Sequence, residues 1–267
     1  MPPAPAPRWS DALVASLLDD IDASGARCFG ISGLQGTGKS TLAAQLCDAA
    51  TRRGRRVAIL SLDDLYLDRD ARRILARDVH PLLATRGPPG THEVASGIDV
   101  LDALRAGQRV ALPRFDKLGD RRLPAARWPV VESTDLVLFE GWCVGVRAEP
   151  DTALAAPVNA LERDEDADGR WRRWCNAALA AAYPALWQRI DRLLFLQPPE
   201  FAVVAGWRWE QELALQRAEP GRAGMDRAQV ARFVQHYERV SRQALRTLPD
   251  MADRVVRLDA HRRPLGD

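Results

Sequence analysis

Residues that could hold a phosphate chain stand together near the start of the sequence. Positions 33–40 read Gly-Leu-Gln-Gly-Thr-Gly-Lys-Ser, a complete loop of the G-x-x-x-x-G-K-[ST] type. Backbone N–H groups of such a loop surround phosphates, the lysine reaches the β- and γ-phosphates, and the serine hydroxyl ligates Mg²⁺. Lys39 is one of only two lysines among 38 basic residues. A lysine retained where arginine is otherwise used indicates a site that a planar guanidinium does not fit.

The elements predicted around this loop occur in the order that its chemistry requires. An apolar run at 27–32 predicts a buried strand, and apolar spacing from 41 onward predicts a helix. The alternative interpretation, a glycine-rich turn with a surface lysine, requires neither a strand before the loop nor a helix after it. We therefore expect nucleotide-phosphate contacts from Gly33, Gln35, Gly36, Thr37, Gly38, Lys39, Ser40 and Thr41.

Two acids each close an apolar run, at the edge of the sheet where a γ-phosphate would point. Asp63 could orient or deprotonate an acceptor hydroxyl and could also hold Mg²⁺ through water. Glu140 follows four apolar residues, and burial of an acid is costly unless a cation lies nearby. A metal site at Ser40, Asp63 and Glu140 explains both acids. The alternative for Asp63, and the better interpretation for Asp64, is the start of a helix, and for Glu140 it is a cap or a salt bridge.

Three loops rich in proline, glycine and arginine could hold an acidic acceptor. They lie at 86–93, 113–117 and 119–121, and their composition makes them stiff. Their cations could together clamp a carboxylate or a sugar phosphate, although each alone is more often a solvated surface charge. The histidine of the first loop is as well suited to capping a turn as to bonding the acceptor. The candidate acceptor-binding residues are Tyr66, Arg86, His92, Arg114, Asp116, Lys117 and Arg121.

A later segment has the composition of a closing lid. Arg208 and Arg217 stand on a predicted helix, and the stretch 219–224 that follows contains proline and glycine. Phosphoryl transfer requires water to be excluded and developing charge to be neutralised, and both residues are candidates for catalysis in that sense. Plain ion pairing with neighbouring glutamates is the competing interpretation, and these are Glu210, Glu212 and Glu219.

Strand and helix patterns alternate along the chain. Strands are predicted at 27–32, 56–62, 135–140, 191–197 and 254–258, and apolar helical stripes run through 10–21, 171–190 and 230–240. Alternation of this kind places ligands beyond the carboxyl ends of parallel strands. We predict an α/β fold of the P-loop NTPase type, with a five-stranded, mostly parallel sheet flanked by helices on both faces, a helical lid, and a charged surface insertion at 148–173.

Composition excludes several classes of protein. A length of 267 residues with 46% hydrophobic content suits a single domain, with the proline-rich residues 1–8 disordered. The net charge is only +2 and the charges are interspersed, which disfavours nucleic acid as a partner. Neither a membrane helix nor a signal sequence is predicted, and the four cysteines lack metal-ligand spacing and should be reduced and buried. We expect a cytoplasmic monomer or simple homodimer that acts on a small molecule.

The combination of motifs resembles the D-glycerate 3-kinase family of P-loop kinases, which is similar in turn to uridine kinases, phosphoribulokinases and pantothenate kinases. The resemblance covers roughly 27–258 and includes the motifs at 61–66, 86–92, 113–121, 139–142, 207–208 and 224–225. It implies ATP and Mg²⁺ at Lys39 and Ser40, Asp63 as the base, Glu140 near the metal, and an acceptor pocket formed by the arginine-bearing loops.

Two positions depart from the family pattern. Phe115 stands where tyrosine is expected and Glu93 where aspartate is expected, and the charged interval before Arg173 has no counterpart in the plant-type members. Pocket residues set the choice of acceptor. These departures therefore bear on the acceptor and leave the kinase prediction unchanged.

Three functions follow as hypotheses. The preferred one is an ATP-dependent kinase that phosphorylates a hydroxyl of a small hydroxy acid, D-glycerate giving 3-phosphoglycerate. The alternatives are a kinase acting on pantothenate, a nucleoside or a sugar phosphate, and an ATP-binding regulatory protein that transfers nothing. A guanine-specific switch is disfavoured because its N-K-x-D motif is absent: neither Asn159 nor Asn176, the only asparagines, precedes a lysine.

Overall fold

The computed structural model describes residues 8–218 and 224–266, so most of the proline-rich start and of the predicted lid loop lies outside the described residues. The strands are β1 (Cys28–Gly33), β2 (Val57–Ser61), β3 (Val110–Ala111), β4 (Phe115–Asp116), β5 (Arg121–Arg122), β6 (Val130–Val131), β7 (Leu136–Gly141), β8 (Arg192–Gln197) and β9 (Arg254–Arg257). The α-helices are α1 (Asp11–Ser24), α2 (Lys39–Arg52), α3 (Arg69–Asp78), α4 (Val94–Arg105), α5 (Ala160–Glu165), α6 (Arg170–Ala181), α7 (Tyr183–Trp187), α8 (Val203–Ala218) and α9 (Arg227–Met251).

A parallel sheet of five strands, in the order β2-β7-β1-β8-β9, confirms the predicted α/β fold. These are the five strands that the apolar runs predict, with ends within one residue. The carboxyl ends of parallel strands gather at one edge, where ligands bind. In register, Ile31 of β1 pairs with Glu140 of β7, and Glu140 pairs with Ser61 of β2. The phosphate loop and both candidate acids therefore leave the sheet side by side.

Helices cover both faces of the sheet, as predicted. On one face, α1 and α2 bury an apolar cluster that includes Leu17, Ile21 and Leu46. The Ser10 hydroxyl accepts a hydrogen bond from the Leu13 N–H and so caps the start of α1. On the other face, residues from α4, α6, α7, α8 and α9 share a second cluster with β7 and β8.

The helix predicted through 171–190 is wrong as a single element. The structure divides it into α6, which ends at Ala181, and α7, which begins at Tyr183 and ends at Trp187. Pro184 lies in the first turn of α7, where its missing N–H costs nothing, whereas inside a continuous helix it would remove a hydrogen bond. Apolar spacing continued across this break because both helices pack on the same core.

The charged segment at 148–173 lies at the surface only in part. Arg163, Asp164 and Glu165 are exposed, as expected. In contrast, Glu162 is fully buried, and its carboxylate pairs with Arg239 of α9 at 2.7 Å. A buried charge is tolerated when it is paired. Glu162 therefore anchors the segment to α9.

Two short antiparallel pairs, β3 with β6 and β4 with β5, stand apart from the main sheet. The β4–β5 hairpin carries Lys117 at its turn, where the Asp116 carboxylate accepts hydrogen bonds from the N–H groups of Leu118 (3.1 Å) and Gly119 (2.9 Å). The hairpin thus holds the second lysine of the chain near the carboxyl edge of the sheet.

The cysteine and membrane expectations can be compared with the described residues. All four cysteines are free thiols, but Cys47, which packs at the margin of an apolar cluster, is only partly buried. Among the described helices, none combines the length and apolar character needed to cross a membrane.

Candidate active site

The phosphate loop connects β1 to α2 and depends on two glycines in the left-handed region. Gly36 has φ +82° and Gly38 has φ +89°, angles that residues with a Cβ rarely adopt. A Cβ on Gly36 would also lie 2.7 Å from the Cβ of Trp207 on α8. The Thr37 hydroxyl donates to the Leu34 carbonyl at 2.9 Å and closes the turn. The loop is thus held open in the shape that presents backbone N–H groups to an anion.

Lys39 begins α2 and points back over its own loop. Its ammonium donates to the Leu34 carbonyl oxygen at 3.0 Å, and the residue is 8% exposed. Burial lowers the pKa of Lys39, and the carboxylates of Glu140 and Asp63 oppose that change. An arriving phosphate would add to this opposition and favour the charged amine.

Ser40 and Glu140 form the centre of the candidate metal site. The Ser40 hydroxyl donates to Glu140 Oε1 at 3.1 Å, which links α2 to the end of β7. Burial raises the pKa of Glu140, and the charge of Lys39 opposes this. Asp63 faces the same cavity. One hydroxyl and two carboxylates form an all-oxygen donor set of the kind that Mg²⁺ prefers, so the residues fit the ion.

Asp63 lies in a 3₁₀ turn at Leu62–Leu65, directly after β2. The Tyr66 hydroxyl donates to Asp63 Oδ1 at 2.6 Å, and the Lys117 ammonium donates to Asp63 Oδ2 at 2.9 Å. Burial opposes ionisation of this acid, but Lys117 and Tyr66 outweigh it and the pKa of Asp63 is lowered. Asp63 is therefore a carboxylate in contact with two donors, one at the end of its own turn and one on an acceptor loop.

A cavity of about 560 Å³ joins these groups. The phosphate loop and the two acids form its base, and α8 and α9 form the opposite wall. Its lining includes most of the residues on which the chemistry would depend: Gln35, Gly36, Lys39, Ser40, Asp63, Tyr66, Arg86, Lys117, Glu140 and Arg208. Candidate residues that are 173 positions apart in the sequence, from Gln35 to Arg208, are thus brought to one space.

Of the cations predicted on the acceptor side, Arg86 and Lys117 line the cavity, whereas Arg114 and Arg121 do not. Arg114 contacts Asp64 at 3.3 Å, and Arg121 lies 3.6 Å from Asp116. Each is turned toward a carboxylate that does not line the cavity. The expectation that all four cations clamp one anion is therefore wrong for these two.

Asp116 and His92 also lie outside the cavity lining. Asp116 caps the turn of the β4–β5 hairpin, and His92 is buried with its Nδ1 2.6 Å from the Tyr183 hydroxyl. Burial lowers the pKa of His92 to about 4, so the ring is neutral at pH 7. The His92 ring instead packs against the Tyr66 ring, with the two ring centroids 5.0 Å apart.

The two candidate lid arginines differ. Arg208 lines the cavity, and its guanidinium also pairs with Glu212 at 3.2 Å, so the ion pair is present and the catalytic role stays a prediction. Arg217 is exposed near the end of α8 and does not line the cavity, because the helix carries it past the opening. Glu219 and the stretch 219–223 lie outside the described residues.

Several cavity residues were not singled out by sequence reasoning. Phe233 and Tyr237 belong to an apolar stripe of α9 that predicts only a core contact, yet both also face the cavity. Trp142 lies two residues after Glu140, in the motif at 139–142. The other cavity residues that the sequence does not single out are Leu118, Gln211, Ala214 and Leu215. An apolar side chain at the rim of a site has the same spacing as one in the core, so periodicity cannot separate them.

The segment after β9 supports the phosphate loop from behind. Arg262 Nε donates to the Gly36 carbonyl at 2.8 Å, and its guanidinium stacks over Trp207 at 5.0 Å. The Trp207 indole N–H donates to the Ala260 carbonyl at 2.8 Å. Residues 259–262, which follow the last strand, thus adjoin the phosphate loop, and a contact between them and an adenine ring is a prediction.

The fold and this loop define a P-loop kinase-like nucleotide-binding protein, and comparisons with known proteins agree. A family model described as "Methylmalonyl Co-A mutase-associated GTPase MeaB" matches residues 6–65, the part that carries the phosphate loop. In overall structure the chain is similar to D-glycerate 3-kinase from Cryptococcus neoformans, with a TM-score of 0.80, 24% identity, and coverage of 96% of this chain and 99% of that one. A "Possible Uridine Kinase" from Bacillus stearothermophilus has a TM-score of 0.50 at 19% identity, covering 91% and 96%.

Two relatives that are similar in sequence indicate which family of P-loop kinases the chain belongs to. The "Uncharacterized kinase mug58" of Schizosaccharomyces pombe is 38% identical over 225 residues, which cover 78% of this chain and 77% of that protein. The chloroplastic D-glycerate 3-kinase of Arabidopsis thaliana is 31% identical over 221 residues, but the match spans only 45% of the plant protein. The chain belongs to the D-glycerate 3-kinase family of P-loop kinases. It is thus a nucleotide-using phosphotransferase.

Proposed function

We propose that this protein transfers the γ-phosphate of ATP to a hydroxyl of a small acidic acceptor, with D-glycerate converted to 3-phosphoglycerate. The observation that carries the proposal is the meeting of Lys39, Asp63, Arg86 and Lys117 in one cavity. These residues supply a phosphate-binding amine, a proton acceptor and two cations for an anionic acceptor. The relatives named D-glycerate 3-kinase support the choice of acceptor.

The transfer step assigns a task to each of these side chains. The acceptor hydroxyl oxygen attacks the γ-phosphorus, its proton passes to the Asp63 carboxylate, and the bond to the bridging oxygen breaks so that ADP leaves with the electron pair. Lys39 and Arg208 neutralise charge on the transferred group. Mg²⁺, which Ser40, Glu140 and Asp63 would hold, supplies further charge neutralisation on the phosphate oxygens.

The acceptor side of the cavity favours a compact anion. Arg86 and Lys117 face the space beyond Asp63, and the Arg86 guanidinium is held by Asp120 at 2.6 Å. Trp142 and Phe233 close the apolar side and would exclude water around the reacting groups. Cations beside a proton acceptor suit a hydroxy acid better than a neutral nucleoside.

An acceptor panel tests the proposal. ADP release is measured with ATP, Mg²⁺ and, in turn, D-glycerate, pantothenate, uridine and pentose phosphates, and ³¹P NMR identifies the phosphorylated hydroxyl. We expect turnover with D-glycerate and a product phosphorylated at carbon 3. Turnover with a different acceptor would replace D-glycerate, and nucleotide binding without any acceptor-dependent turnover would favour the regulatory protein instead.

A further inference from the structure

Both oxygens of the Asp63 carboxylate already hold a donor. The Tyr66 hydroxyl occupies Oδ1 at 2.6 Å, and the Lys117 ammonium occupies Oδ2 at 2.9 Å. An acceptor hydroxyl that is to give its proton to Asp63 must hydrogen-bond to one of these oxygens. Each oxygen accepts up to two hydrogen bonds, so the acceptor hydroxyl would compete with one of these donors, and the freedom of each donor to move decides which oxygen it can approach.

Tyr66 is fixed by its surroundings. The residue is 4% exposed, its ring meets Phe115 edge-on at 5.3 Å, and His92 lies against it. Close packing of this kind leaves no alternative position for a ring. The hydroxyl at Oδ1 thus orients Asp63 and stays in place.

The Lys117 side chain, unlike that of Tyr66, is not enclosed by packing. It stands at the turn of the β4–β5 hairpin, and its side chain is 52% exposed. Among the described residues, Asp63 is the carboxylate within ion-pair distance of its ammonium. A flexible, half-exposed lysine with a single carboxylate partner can leave Oδ2 at small cost if another anion replaces that partner.

The position of Arg86 indicates where such an anion would come from. Arg86 Nη2 donates to the Lys117 backbone carbonyl at 3.0 Å, and both side chains line the cavity. An anion drawn between them would meet Lys117 beside Asp63. A neutral acceptor offers Lys117 no charge in exchange for Asp63.

We propose that Lys117 is a specificity-determining residue that occupies Asp63 Oδ2 until a carboxylate or phosphate on the acceptor replaces Asp63 as its partner. The inference rests on the proposed kinase function and extends it: the acceptor must carry an anionic group next to the reacting hydroxyl, because only such an acceptor frees the base. Water and neutral alcohols leave the pair between Lys117 and Asp63 intact. Asp63 therefore does not activate them for attack on the γ-phosphate.

The test compares Lys117→Met, which keeps the length of the side chain without its charge, with Lys117→Arg, which keeps the charge. Arg109→Met is the matched control, since Arg109 is an exposed arginine paired with Glu132 at 3.2 Å and does not line the cavity. Three rates are measured with ATP and Mg²⁺: ATP hydrolysis without acceptor, turnover with neutral glycerol, and turnover with D-glycerate.

For Lys117→Met we expect hydrolysis without acceptor and turnover with glycerol to rise several-fold, while the preference for glycerate over glycerol falls by about tenfold or more. Lys117→Arg should restore low hydrolysis, and Arg109→Met should match the wild type. If Lys117→Met loses glycerate turnover with no rise in the other two rates, Lys117 only binds the acid and the proposal is overturned.

The acceptor-free rate separates this inference from the proposed function. A rise in hydrolysis in Lys117→Met, together with no turnover of D-glycerate by the wild type, would support control of Asp63 by Lys117 and reject D-glycerate as the acceptor. Unchanged hydrolysis in Lys117→Met, together with a wild type that does phosphorylate D-glycerate, would reject the exchange and retain the kinase.

Discussion

Arg208 and Glu212, one turn apart on α8, form a pair in which the fully buried carboxylate holds a cavity-facing guanidinium at 3.2 Å. The same carboxylate accepts a hydrogen bond from the Met225 N–H at 3.1 Å, just before α9 begins. One buried acid thus aims Arg208 into the cavity and joins α8 to the start of α9. The lid helix depends on this acid for both tasks.

We expect Glu212→Gln to lower kcat about tenfold and to change the KM for ATP little, because Arg208 acts on charge that develops during transfer. Steady-state kinetics measures both constants. Glu132→Gln is the control, since Glu132 is exposed, pairs with Arg109 and does not line the cavity. A KM increase with unchanged kcat would mean that Arg208 contributes only to ground-state binding of the nucleotide.

Asp63→Asn should lower the transfer rate by about 10²–10⁴ while ATP affinity stays within a few-fold, because the amide retains the shape but does not accept a proton. Rates come from ADP release and affinity from calorimetry. Asp64→Asn is a matched control, because Asp64 accepts the Phe115 N–H at 3.1 Å and does not line the cavity. Transfer that survives in Asp63→Asn would reject Asp63 as the base.

Gly36→Ala should weaken nucleotide binding severely and lower the free energy of unfolding by more than Gly54→Ala. Both glycines have φ near +81°, which costs a residue with a Cβ about 1–2 kcal/mol. A Cβ on Gly36 also meets Trp207 at 2.7 Å, whereas a Cβ on Gly54 has no atom within 4 Å. Urea unfolding and nucleotide titration compare the two. Equal losses of stability in Gly36→Ala and Gly54→Ala would show that Trp207 moves away from the added Cβ at no measurable cost.

The ion pair between Glu162 and Arg239 predicts a large loss of stability when one partner is removed. Glu162→Gln should lower the free energy of unfolding by about 3–5 kcal/mol, because Arg239 would keep a buried charge with fewer partners. The control is Glu165→Gln on the same helix, whose exposed pair with Arg232 should contribute less than about 1 kcal/mol. Urea denaturation measures both, and similar small losses would contradict the proposed anchoring of 148–173.

Acidification should destabilise the fold through its buried histidines. Burial lowers the pKa of His236 to about 4, below the value of about 6.5 expected in the unfolded chain. The unfolded state therefore binds the proton first: stability is complete above pH 6.5 and is lost as the pH falls toward 4. At pH 5 this one histidine costs about 2 kcal/mol.

His236→Asn provides the check on that pH dependence. The amide can still donate to the Phe233 carbonyl that His236 Nδ1 contacts at 3.2 Å, but it does not titrate. The free energy of unfolding of the variant should fall less between pH 7 and pH 5 than that of the wild type. Parallel curves would show that His236 is protonated equally in both states.

Local patterns predicted the strands closely and the helices less well. Each buried strand is a short apolar run, and its ends follow from the residues beside it. The stripe through 171–190 passes over Pro184 without interruption because α6 and α7 pack on one core, and the stripe of α9 does not reveal that Phe233 and Tyr237 border a cavity. Periodicity records burial, whereas the boundary between core and site is a property of the assembled helices.

The sequence by itself determined the phosphate loop, the sheet and the acids at its carboxyl edge, because spacing along a short stretch fixes each of them. Only the tertiary structure decided which cations face the cavity. Arg114 turns to Asp64 and Arg121 to Asp116, while Lys117 reaches Asp63 across 54 positions of sequence. Which carboxylate an arginine or lysine meets depends on distances between segments far apart in the chain, and composition carries no record of those distances.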